Sequence, residues 1–101
     1  MVSQRILVAD DDEAICDTIE DALHLAGYET LRATNGQEAV DSVRKQRPDL
    51  LIVDVSMPMM NGFDVVKKLR ALNIAIPVIF LTARHNREDV VIGLKTGADD
   101  Y

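Results

Sequence analysis

Three short runs in this chain are apolar at every position: Ile6-Leu7-Val8-Ala9, Leu50-Leu51-Ile52-Val53 and Val78-Ile79-Phe80-Leu81. A strand with one wet face alternates apolar and polar residues, whereas a run that is apolar throughout has both faces covered. These runs are too short for helices. They predict strands of a parallel sheet with helices above and below. The more polar Tyr28–Thr34 alternates through Leu31 and Ala33 and reads as an edge strand.

The segments between the strands carry a helical period. Ile15, Ile19, Leu23 and Ala26 recur at i, i+4, i+8 and i+11, which predicts one inward face, with Gly27 just past the helix end. Asn35 is expected to cap a second helix, Gln37 to Arg47, with Ala39, Val40 and Val43 inward. Pro48 ends it, because the residue before a proline is disfavoured in helical geometry. A third helix is predicted over Phe63–Leu72, with Phe63, Val66 and Leu69 inward. A fourth is predicted over Arg87–Thr96, with Val90, Val91 and Leu94 inward and Gly97 at its end. The order β-α-β-α-β-α-β-α with short links is that of a doubly wound α/β domain with right-handed crossovers. The length of 101 residues fits one domain spanning 1–101.

Composition narrows the function. A net charge of −6 repels a phosphate backbone, so DNA contact would need a basic element outside this chain. Four aromatics and no Trp make a base-stacking platform a poor fit. Cys16 is the single cysteine, which excludes an intrachain disulfide and fits a reducing compartment. No apolar stretch approaches the length of a membrane span, and the N-terminal apolar run is cut by carboxylates after four residues, unlike a signal peptide. A cytoplasmic location without membrane contact is expected.

Ligands of an open parallel sheet bind at the carboxyl ends of its strands. The first run delivers Asp10, Asp11 and Asp12 there, the third strand delivers Asp54, and the fourth delivers Thr82. Carboxylates gathered at a dry rim need a counter-charge. A hard divalent cation suits all-oxygen ligands, and Mg²⁺ fits a site with few carboxylates and several waters. Such a site is prepared for phosphoryl chemistry, because a cation can lie between carboxylate and phosphoryl oxygens. Neither GxxxxGK[ST] nor GxGxxG occurs, so nucleotide-binding loops are not indicated.

The segments Ile6-Leu7-Val8-Ala9-Asp10-Asp11-Asp12, Val53-Asp54-Val55-Ser56-Met57-Pro58, Asn61-Gly62, Leu81-Thr82-Ala83 and Gly97-Ala98-Asp99-Asp100-Tyr101 together resemble the receiver domain of two-component response regulators. The ending resembles the branch that carries a winged-helix DNA-binding output domain. The resemblance implies a flavodoxin-like, CheY-like sheet of order 2-1-3-4, lacking the family's fifth strand and fifth helix, which would follow Tyr101. It implies Asp54 as the acceptor of a phosphoryl group from a sensor histidine kinase. Mg²⁺ would be held directly by Asp11 and Asp54, through water by Asp10, and by the main-chain carbonyl of Ser56. Thr82 would donate its hydroxyl to a phosphoryl oxygen, with the small Ala83 leaving room. Tyr101 would be the switch aromatic, and homodimers could form through the fourth-helix region.

Other residues read as structural. Asp12 and Glu13 suit the positive end of the first helix. His24 and His85 lack a second ligand at metal spacing, Cys16 reads as a plain helix residue, and Met57, Met59 and Met60 read as loop and packing residues around a turn shaped by Pro58 and Gly62. The family's lysine, which follows the switch tyrosine, would lie beyond Tyr101, so the chain reads as an incomplete receiver with an open strand edge. Two other functions stay open. A phosphorylation-independent interaction domain would need neither the acids nor Thr82. A Mg²⁺-dependent phosphohydrolase would need a general acid and a cap that the sequence does not display.

Overall fold

Hydrogen bonding joins β1 (Arg5–Ala9), β2 (Glu29–Ala33), β3 (Leu50–Asp54) and β4 (Val78–Leu81) into an all-parallel sheet of order β2-β1-β3-β4. This computed structural model describes residues 4–81. Thr82, Tyr101 and the expected fourth helix lie outside the described residues. The three apolar runs all become strands, and the alternating segment becomes β2 at the edge. Among the described residues no helix is long and apolar enough to cross a membrane.

Alternate strand positions serve opposite faces. Leu7, Ala9, Ala33, Leu51, Val53, Val78 and Phe80 point to one side, where α2 (Gly36–Gln46) and α3 (Gly62–Ala71) cover them. Ala39, Val40 and Val43 of α2 are buried there, as expected from their spacing, together with Val65, Val66 and Leu69 of α3. Phe63 is half-buried and meets Phe80 edge to face, with ring centroids 4.8 Å apart. Such a pair contributes about 1 kcal/mol beyond its area.

The other face carries Ile6, Val8 and Ile52 beneath α1 (Glu13–Leu25). Here the structure corrects the expected inward stripe. Cys16 is fully buried, whereas Ile15 is 42% exposed, Ala26 is exposed, and Ile19 and Leu23 are half-buried. The reason is lateral position. α1 meets the sheet at β1 and β2, and Cys16 is the residue of the helix that is buried there. Ile79 and Leu81 of β4, on the same sheet face, are half-buried.

Local chemistry sets the helix ends. Asp12 accepts from the N–H groups of Ala14 (2.9 Å) and Ile15 (3.3 Å), and Asn35 accepts from that of Glu38 (2.8 Å). Gly27 takes φ +94° after α1. Arg47, forced out of the helix by Pro48, adopts the left-handed region at φ 48°. The Arg5 guanidinium donates to the freed carbonyls of Gln46 and Arg47.

Polar contacts pin α1 to the edge strand. Arg32 of β2 donates to Asp17 Oδ1 (2.6 Å) and Glu20 Oε2 (2.5 Å), and Thr30 donates to Glu20 Oε1 (3.0 Å). The Arg32 side chain is 30% exposed, so the network is screened by solvent. Arg32→Ala is expected to lower stability, and by less at high salt. Urea unfolding at two ionic strengths checks this.

Candidate metal and phosphoacceptor site

β1 and β3 are neighbours in register, with Ala9 beside Val53, so the residues that follow them emerge side by side at one rim. Asp10, Asp11 and Asp54 each place a carboxylate oxygen within 4.8 Å of the others. These are the acids that the sequence assigned to a cation.

Asp10 is 2% exposed. Its main-chain N–H donates to Ala33 O (3.1 Å), and its Oδ1 accepts from the Asp12 N–H (2.9 Å). Burial pushes its carboxyl up to about 6, the Asp12 N–H pulls the other way, and the charges of Asp54 and Asp11 raise it further. Three carboxylate oxygens that repel one another are the chemistry that a hard cation relieves, so the residues present fit one. Asp11 is exposed, and Asp54, the last residue of β3, is half-buried. Asp54 Oδ1 accepts from the Ser56 N–H at 3.1 Å, which places the Ser56 main chain beside the acid.

Asp12 and Glu13 stand as the sequence predicts: one caps α1 and the other occupies its first turn. Asp12 also serves the site through its bond to Asp10. The four consecutive acids therefore divide, with two facing the rim and two facing the helix N-terminus.

Two supports escaped the sequence reading. Cys16 donates its thiol to Asp10 O at 3.5 Å, so the cysteine read as a plain helix residue props the main chain of the site. Burial raises the pKa of this thiol, which keeps it protonated and inert. The second support is Gly62. An added Cβ there would stand 2.4 Å from Asp54 O, so α3 starts hard against the backbone of the acid. Asn61 caps this helix in a reciprocal box with Asp64: Asp64 N–H donates to Asn61 Oδ1 (2.9 Å), and Asn61 N–H donates to Asp64 Oδ2 (3.2 Å). The Asn-x-x-Asp spacing was available as a signal for the box. The approach of Gly62 to Asp54 was not, because it joins separate elements.

Comparison with known proteins finds close counterparts of the chain as a whole. A family model described as response regulator receiver domain matches residues 6–101. The chain is 43% identical over 101 residues to the transcriptional regulatory protein PrrA of Mycobacterium tuberculosis, covering all of this chain and 43% of that protein. It is 38% identical to the alkaline phosphatase synthesis transcriptional regulatory protein PhoP of Bacillus subtilis, covering 99% of this chain and 42% of that one. The chain thus spans under half the length of these curated relatives. The Francisella response regulator 1452 receiver domain superposes with a TM-score of 0.93 at 37% identity, over 98% of this chain and 82% of that one. Vibrio cholerae chemotaxis protein CheY4 superposes with a TM-score of 0.90 at 34% identity, over 98% and 84%.

Proposed function

The chain belongs to the response regulator receiver domain family, and from that premise we propose that it is a phosphoacceptor switch whose Asp54 takes a phosphoryl group from a sensor histidine kinase. The observation that carries this reading is the convergence of Asp10, Asp11 and Asp54 at the carboxyl ends of two adjacent strands. An Asp54 oxygen attacks phosphorus, the new O–P bond forms as the N–P bond of the phosphohistidine breaks, and the imidazole leaves. Mg²⁺ bound by Asp11 and Asp54, by Asp10 through water, and by the Ser56 carbonyl would supply the positive charge that offsets carboxylate–phosphate repulsion. The Ser56 N–H keeps one Asp54 oxygen oriented. Asp10, held by the Asp12 N–H and the Ala33 carbonyl, contributes charge without swinging away.

Thr82, the residue after β4, would donate to a phosphoryl oxygen, and Tyr101 would respond to its movement. Residues 1–101 act as one receiver unit, and the fourth-helix region would offer the surface for a second copy. The chain catalyses its own phosphorylation and dephosphorylation and turns over no free substrate. The curated relatives named above are transcriptional regulatory proteins, which supports transcription as the output, exerted in the cytoplasm through DNA contacts made outside these residues.

Intact mass after incubation with Mg²⁺ and a small acyl-phosphate donor tests the reading. One added phosphoryl group is expected, lost in Asp54→Asn and with a chelator. An adduct retained in Asp54→Asn would place the acceptor elsewhere. No adduct on the unaltered chain would favour an interaction domain that works without phosphorylation.

A further inference from the structure

The opposite end of the sheet carries a surface that the phosphoacceptor chemistry does not use. Between the C-terminal end of α2 and the link from α3 to β4 lies a half-open groove of about 790 Å³. Its floor is aliphatic: Val43 and Ile76 are buried, Ile74 is half-buried, and Leu72 is 43% exposed at the lip. Its rim is basic. Arg44, Lys45 and Arg47 supply three of the chain's eleven Lys and Arg residues within four positions, and none forms a salt bridge with a described carboxylate.

Two acids also line the groove; each accepts from a neutral donor and keeps its charge, so the lining holds three cations against two anions. Asp49 Oδ2 accepts from the Arg5 N–H at 2.8 Å, and Asp41 Oδ1 accepts from the Gln37 side chain at 3.1 Å. Attraction to the helix dipole explains Arg44 and Lys45 in the last turn of α2. It does not explain uncovered aliphatic side chains facing them across the gap.

We propose that this groove docks a peptide segment of a partner protein in which aliphatic side chains are flanked by carboxylates. The aliphatic groups would cover Leu72 and Ile74, and the carboxylates would meet the unpaired cations at the rim. Charge complementarity selects this occupant. A basic or neutral peptide would leave the cations unpaired beside newly buried apolar surface. The surface lies at the strand ends opposite the acidic rim, so docking and phosphoryl acceptance need not compete.

The probe is a fluorescein-labelled decapeptide alternating leucine and glutamate, titrated with the whole chain. Anisotropy should report binding with a Kd on the order of 100 μM, weakening as salt rises from about 50 to about 500 mM. Amide shifts should fall at residues 44–47, at Asp49 and at residues 72–76. Arg44→Gln combined with Lys45→Gln should weaken binding about tenfold, and Leu72→Ser should weaken it separately. All three positions are exposed, so the fold is expected to survive, and far-ultraviolet dichroism checks it. No binding would overturn the proposal, as would equal binding of a leucine–lysine peptide or an unchanged Kd in the double variant. Self-association of the chain abolished by the same double variant would assign the groove to a second copy and also overturn it.

Discussion

Replacing Gly62 with alanine is expected to cost about 3 kcal/mol of stability and to impair phosphoryl acceptance at Asp54. The new Cβ would lie 2.4 Å from Asp54 O, 3.0 Å from Asp54 C and 3.1 Å from Val55 Cα. All three are backbone atoms, so no side chain can rotate aside. Either α3 retreats, stretching the 3.1 Å bond from Gly62 N–H to Val55 O, or the end of β3 moves and takes Asp54 with it. Alanine's better helix propensity returns at most about 1 kcal/mol, so the clash dominates. Chemical denaturation gives the stability change, and the phosphorylation assay gives the functional one. A variant within about 0.5 kcal/mol of the unaltered protein would show that α3 does not brace Asp54.

Asp10→Asn should act in opposite directions on stability and on metal binding. The Asp10 carboxyl is raised to about 6 in the folded state by burial and by its acidic neighbours, against about 3.9 in an unfolded chain. The folded state therefore holds the extra proton between those values, and stability falls as pH rises from about 4 to about 6. Above that window the buried carboxylate imposes its full penalty, on the order of 3 kcal/mol, and below it the penalty vanishes. Asparagine is neutral at every pH and keeps an oxygen to accept from the Asp12 N–H. Without metal, Asp10→Asn should be more stable than the unaltered chain by up to about 3 kcal/mol at pH 8 and equal to it near pH 4. With Mg²⁺ the order should narrow or reverse, since the variant has lost one of the charges that attract the cation. Unfolding curves at both pH values, with and without Mg²⁺, check this. A variant less stable at pH 8 without metal would refute it.

Both effects bear on one rim, where Asp10 is buried beside two other acids and α3 abuts the backbone of Asp54. Residues near each other in sequence made much of it legible. Uninterrupted apolar runs announced strands of a parallel sheet, with β1 and β3 covered on both faces and β4 fully on one, and the acids directly after the first and second runs had to emerge at the rim. Asp12, Asn35 and Pro48 set helix boundaries through bonds and clashes with their immediate neighbours, so each could be read locally.

The features that escaped reading depend on which element lies against which. The period of α1 identified an aliphatic stripe, but its lateral seat over β1 and β2 decided that Cys16, not Ile15, would be buried. Sequence alone assigned Asp10, Asp11 and Asp54 to one end of the sheet, because chain direction in a parallel sheet dictates where each strand stops. Tertiary structure alone decided that Cys16 props the Asp10 carbonyl, that α3 abuts the Asp54 backbone at Gly62, and that Asp10 is the buried acid of the cluster. Those outcomes follow from close packing between separate elements, where a distance of one methyl group settles the result and no periodic pattern encodes it.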